Sequence, residues 1–231
     1  MRYAEAMREL ESLGNSDDVR GMERFGIRSR KAYGVRAPEI RRLAKAIGVD
    51  HALAQKLWDS GVYEARILSA LVDDPRQMND EIMEDRVRGF DNWAVCDAFC
   101  MNLFDRTDVA YSKAVEWSGR PEEFVKRAGF AMIAALAVHD KKADDGRFID
   151  FLPLIVREST DDRNMVKKAV NWALRQIGKR SLPLNAEAVS TAKKIVEIDS
   201  SSARWIASDA LRELTGEKVL DRLRQRAERA V

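Results

Sequence analysis

The residues best suited to chemistry lie on one helical stretch. From about Asn164 to Lys179, Val166, Ala169, Val170, Ala173 and Ile177 form an apolar stripe at about 100° per residue. Lys168, Trp172, Arg175 and Lys179 stand at i, i+4, i+7 and i+11, almost opposite that stripe. An indole set among three cations is an aromatic platform flanked by phosphate ligands. The alternative is that Trp172 packs on a neighbouring repeat, since helices in stacked repeats often have two buried sides.

A second candidate is Phe90-Asp-Asn-Trp-Ala-Val-Cys-Asp-Ala-Phe, which reads as a helix capped near Asp91 or Asn92. Trp93 and Asp97 are four apart and share a face, with Val95, Ala98 and Phe99 on the other side. Asp97 is then either a carboxylate aimed at a ligand or an ordinary capping or salt-bridge acid. In the third, Glu122–Val138, Arg127 aligns with Ala131 and Ala134, opposite Met132, Ile133 and Leu136. Small residues beyond an arginine leave room for a ligand, and a close helix contact needs the same small residues.

Other chemistries find little support. Cys96 and Cys100 at i, i+4 lack further ligands, and His51 and His139 sit in unrelated segments, so no metal site is expected. Both cysteines read as buried thiols. No Walker loop, no G-x-G-x-x-G after a strand and no G-x-S-x-G is present.

The elements that must position these groups are helical. Leu, Ala, Glu, Lys and Arg dominate, and alternating β-branched runs are missing. The prolines, at 38, 75, 121, 153 and 183, fall near expected helix starts or linkers. Similar segments recur at Glu64, Lys126, Lys167 and Ala203, and aligning Arg127, Lys168 and Arg204 gives steps of 41 and 36. That spacing suits a two-helix HEAT or armadillo unit. The expected fold is therefore all-α: a solenoid of HEAT-like or armadillo-like repeats with a concave surface. Residues 1–231 read as a single repeat domain, with capping helices over about 1–32 and a charged, solvated terminal helix over about 217–231.

The 231 residues are 45% apolar and 34% charged with a net charge of +2, as for a soluble globular chain. The longest mostly apolar stretch, Gly129 to Val138, is too short for a membrane span. The N-terminus, with Arg2, Glu5, Arg8 and Glu9, is not a signal peptide. A cytoplasmic monomer is expected. Near-neutral charge means that any nucleic-acid surface must be concentrated on one face.

Four segments in order carry a resemblance. Tyr33-Gly-Val-Arg-Ala-Pro-Glu-Ile-Arg-Arg-Leu-Ala-Lys, Asp91-Asn-Trp-Ala-Val-Cys-Asp, Val125-Lys-Arg-Ala and Val166-Lys-Lys-Ala-Val-Asn-Trp-Ala-Leu-Arg resemble the DNA alkylation-repair proteins of the AlkD type. These are HEAT-like-repeat glycosylases that release N3- and N7-alkylated purines. The resemblance runs from about Arg24 to Leu211. It implies that Trp93 and Trp172 are active-site aromatics, Asp97 the catalytic carboxylate and Arg127 a DNA contact. Glu64 and Arg66 match a structural motif. Lys126, Lys168, Arg175 and Lys179 would track the DNA backbone from within the concave groove. Departures are Phe124 and Lys126-Arg127 where a tryptophan and two arginines are common, Asn171 and Gln176 in place of glycine and glutamate, and a long His139–Phe151 stretch.

The implied chemistry is glycosidic hydrolysis through an oxocarbenium-like sugar. A purine alkylated at N3 or N7 already carries positive charge and departs neutral, so one carboxylate suffices and no metal or organic cofactor is called for. Asp97 would stabilise the sugar cation and orient water. Trp93 and Trp172 would frame the deoxyribose, adding cation–π attraction of about 0.5–2 kcal/mol. The expected partner is duplex DNA containing alkylated bases, with a nucleoid association in a prokaryote. Two alternatives remain: a catalytically silent repeat protein that binds damaged or branched DNA, and a helical scaffold anchored to a protein partner through Trp93 and Trp172.

Overall fold

Short polar residues and prolines set most helix starts. The computed structural model describes residues 1–27, 29 and 31–229. Its α-helices are α1 (Tyr3–Ser12), α2 (Ser16–Met22), α3 (Ala37–Ile47), α4 (His51–Asp59), α5 (Tyr63–Val72), α6 (Asp80–Arg88), α7 (Trp93–Asn102) and α8 (Ala110–Ser118). They continue as α9 (Glu123–His139), α10 (Asp145–Ile149), α11 (Leu152–Glu158), α12 (Asn164–Gly178), α13 (Leu182–Val196), α14 (Ser201–Leu214) and α15 (Glu217–Glu228). Among the described residues there is no strand. Asp50, Asn79, Asn92, Ser181 and Ser200 cap their helices by accepting from the backbone N–H three residues on. Each such cap contributes about 1 kcal/mol. Pro38, Pro153 and Pro183 occupy first turns, where a missing N–H costs nothing.

The chain forms two compact units, Met1–Asp108 and Val109–Val231. In the first, α5 packs against α3, α4 and α7. Leu10, Ile40, Leu57 and Leu68 fill its core. Phe99 centres an aromatic cluster, 5.1 Å from Trp58 and 5.4 Å from both Phe90 and Phe104. The segment expected to cap the repeats holds α1, α2 and a short 3-10 turn at Glu23–Phe25; Arg28 and Arg30, within the same expected segment, lie outside the described residues.

The second unit has two layers. Helices α9, α12 and α14 pack in succession, and α8, α11, α13 and α15 cover them. Arg127, Lys168 and Arg204 fall on α9, α12 and α14, so the steps of 41 and 36 mark the repeat register. The predicted α12 stripe is fully buried at Val166, Ala169, Val170, Ala173 and Ile177. The terminal helix α15 is exposed along most of its length and packs on α13 and α14 through buried Leu223.

Candidate functional site

Asn92 is the cap that places Trp93. Its side chain is buried and accepts from Val95 N at 3.0 Å, so the helix begins at the tryptophan. Val95, Cys96, Phe99 and Cys100 hold the buried side of α7, while Trp93 and Asp97 are half-buried on its other face. The Trp93 indole Nε1 donates to Phe25 O at 2.9 Å, which fixes the ring's edge. Asn92 is thus the N-cap of α7. The cysteines are buried and not in a disulfide. Burial, followed by the Cys96 hydrogen bond, pushes the Cys100 thiol well above its usual range. Among the described residues, no group of three or more His, Cys, Asp or Glu could hold a metal ion.

Behind α7 lies the expected structural motif. The buried Glu64 carboxylate accepts from the backbone N–H of Tyr33, Gly34 and Val35, at 2.9, 2.6 and 3.2 Å. Gly34 has φ +80°, and a Cβ there would run into the Asn15 carbonyl oxygen. Arg66 bonds to Gly89 O, pairs with Asp91 at 3.1 Å and lies 4.1 Å above the Trp58 ring. It thereby fixes the turn that leads into Asn92 and Trp93.

In the second unit, Trp172 is half-buried and Lys168 exposed. Among the described residues the Trp172 indole makes no hydrogen bond or ring contact, and Lys168 makes no ion pair. The other two cations of that face are engaged. Arg175 is 2.7 Å and Lys179 2.8 Å from the Glu213 carboxylate of α14, and Arg175 also lies 3.5 Å from Asp209. Burial alone would raise the Glu213 pKa, but its bonds to Lys179 and Arg175 bring it below the usual carboxylate range.

Arg127 is only 5% exposed and donates to Met165 O at 2.6 Å, bracing α9 against the start of α12. Ala131 and Ala134 are fully buried, and a Cβ on Gly129 would strike the Ser118 backbone, so small residues here serve close helix packing. Lys126 is tied to Glu158 and lies 3.4 Å from Asp161. The structure thus groups Trp93 with Asp97 in one unit and Trp172 with Lys168 in the other. It assigns Arg127, Lys126, Arg175 and Lys179 internal partners. Sequence reasoning missed Trp205, 40% exposed on α14 with Lys167 Nζ 5.2 Å from its ring. An aromatic at a repeat position otherwise filled by small or aliphatic residues was the available signal.

A profile of the DNA alkylation repair enzyme family matches residues 6–214. The chain belongs to that family. A solved protein described as belonging to a new family related to the HEAT-like repeat DNA glycosylases, with affinity for branched DNA structures, is 22% identical to this family member. The match covers 94% of this chain and 97% of that one, with a TM-score of 0.77. It shows the fold: a HEAT-like helical repeat. A designed armadillo repeat protein aligns over 77% of this chain and 92% of its own, at 15% identity and a TM-score of 0.36. No curated protein matches. Among the described residues, no helix is long and apolar enough to cross a membrane.

Proposed function

We propose that this family member is a DNA glycosylase that hydrolyses the N-glycosidic bond of N3- or N7-alkylated purines in duplex DNA. One observation carries the reading: Trp93 and Asp97 share a half-buried face of a helix whose start is fixed by the Asn92 cap. As the cationic purine departs neutral, positive charge develops on the deoxyribose. The Asp97 carboxylate stabilises that charge and orients the attacking water, while Trp93 offers its ring face. In the second unit, Trp172 and exposed Lys168 supply an aromatic face and a phosphate contact. The family match runs through the sequence of both compact units.

The test is release of 7-methylguanine or 3-methyladenine from methylated duplex DNA by wild type and Asp97→Asn. Wild type should release base, and the variant should lose about 10²-fold or more in rate, the usual scale for removing one preorganised electrostatic contact, while binding duplex normally. Duplex binding without any base release by wild type would sink the enzyme reading.

A second reading is a non-catalytic DNA-binding protein, favoured by the branched-DNA affinity in the description of the solved relative. It predicts preferential binding of a four-way junction over linear duplex, insensitive to Asp97→Asn.

A further inference from the structure

A concave feature of the second unit lies at the C-terminal end of α12. It is a cavity of about 530 Å³ between the end of α9, the segment around Asp145, the end of α12 and α15. Its charged lining is Lys141, Lys179, Arg180, Arg222 and Arg226 against a lone carboxylate, Asp145. Lys179 is neutralised by Glu213. Among the described residues, Lys141 and Arg222 make no ion pair, and Arg226 bonds only to the Lys179 carbonyl oxygen, at 3.2 Å.

Arg180 marks this as a built site. Its side chain is only 8% exposed. It is clamped by Ala143 O at 2.6 Å and by the Phe148 ring, 4.2 Å from the guanidinium carbon. Its buried Nε makes no hydrogen bond, with Asp145 Oδ1 at 3.5 Å. Asp145 pairs with Arg180, so among the described residues Lys141, Arg222 and Arg226 are the lining cations that no carboxylate claims. Crowding supports the same point: burial, then the charges of Arg226 and Arg180, hold Lys141 below the usual lysine range.

We propose that this cavity binds a terminal phosphomonoester, either of a free nucleotide or of a DNA strand end. Several close cations call for a multiply charged anion, and a terminal phosphate carries close to two charges at neutral pH, against one for a backbone diester. Guanidinium groups match phosphate geometry with paired donors. The volume falls within the roughly 300–1,000 Å³ of small-ligand sites, far more than phosphate alone requires. Val138, Val219 and Leu223 offer an apolar wall for a sugar or base, and Gln176 and Ser181 add polar contacts. The site lies wholly within the second unit and demands nothing of Asp97.

The experiment compares thymidine 5′-monophosphate with thymidine by calorimetry, and a 5′-phosphorylated single strand with its 5′-hydroxyl counterpart by fluorescence polarisation. The phosphorylated member should bind at least about tenfold more tightly in at least one pair. Preference in the first pair alone identifies a free nucleotide as the ligand, and in the second alone a strand end. The Arg222→Glu/Arg226→Glu variant should abolish the preference at unchanged melting temperature, because both side chains are exposed on α15. Asp97→Asn should leave it intact, so failure here is distinct from failure of the glycosylase reading. No preference in either pair, or a preference that survives the double variant, overturns the proposal.

Discussion

Glu64 shows how one side chain fixes a turn that sequence patterning alone leaves loose. Three successive amides, of Tyr33, Gly34 and Val35, converge on its carboxylate, and the middle one belongs to a glycine whose positive φ no other residue adopts without strain. Removing the acceptor strands buried donors, at about 1–3 kcal/mol each. Glu64→Ala should therefore destabilise the first unit by about 3 kcal/mol or more, read as an earlier thermal melting transition by circular dichroism. Glu64→Gln keeps an acceptor oxygen and should lose less. Equal losses in the two variants would mean that space-filling, not hydrogen bonding, is what Glu64 provides. Gly34→Ala should also destabilise, through the Asn15 carbonyl oxygen that its Cβ would strike. None of these three variants touches Trp93 or Asp97, yet all act on the same unit, so any loss of base release should follow the loss of folded protein.

At the scale of elements, α12 and α14 are joined by a small ionic lattice in which Glu213 receives both Arg175 and Lys179. Because the folded Glu213 is held below its usual pKa, its contribution is present above the ordinary glutamate range, about pH 4.3. It is lost as pH falls through the folded value. Glu213→Gln should lower the melting temperature at pH 7, and the gap from wild type should close on acidification below about pH 4.3. A gap independent of pH would mean that packing rather than charge joins these helices. This pair also shows where the sequence stops being legible. Helical periodicity revealed the buried stripe of α12, and the spacing of Arg127, Lys168 and Arg204 marked the repeat. A helical wheel, however, tells which face a residue occupies and not what faces it. The acids that engage Lys126, Arg175 and Lys179 stand 32 to 38 residues away, on other helices. Trp93 and Asp97 were legible because their cap and their spacing are local. Likewise the long His139–Phe151 stretch gave no hint that it folds α10 under an aromatic cluster. There Tyr111 stacks on Phe151 at 5.9 Å, and Arg180 is seated against Phe148.

For the molecule as a whole, 40 basic residues against 38 acidic ones leave little net field to draw in a polyanion. DNA binding must then depend on cations that no carboxylate has claimed and that gather on one face, and the salt dependence of affinity counts them. Each phosphate neutralised contributes a slope of about −0.9 in log K against log salt. Lys168, exposed and without an ion pair, should be one of them. Lys168→Ala should reduce the magnitude of the slope by about 0.9 and leave the melting temperature unchanged. Arg175→Ala should do the reverse, lowering stability because Glu213 loses a partner while hardly moving the slope. The comparison bears on how the protein holds its charge. If Arg175→Ala flattens the slope as much as Lys168→Ala, Glu213 releases its cations when DNA arrives, and the lattice between α12 and α14 is a reserve of phosphate ligands rather than a brace. In that case Glu213→Gln, which leaves Arg175 and Lys179 unclaimed in the free protein, should tighten duplex binding at low salt; no tightening would return both residues to a structural role.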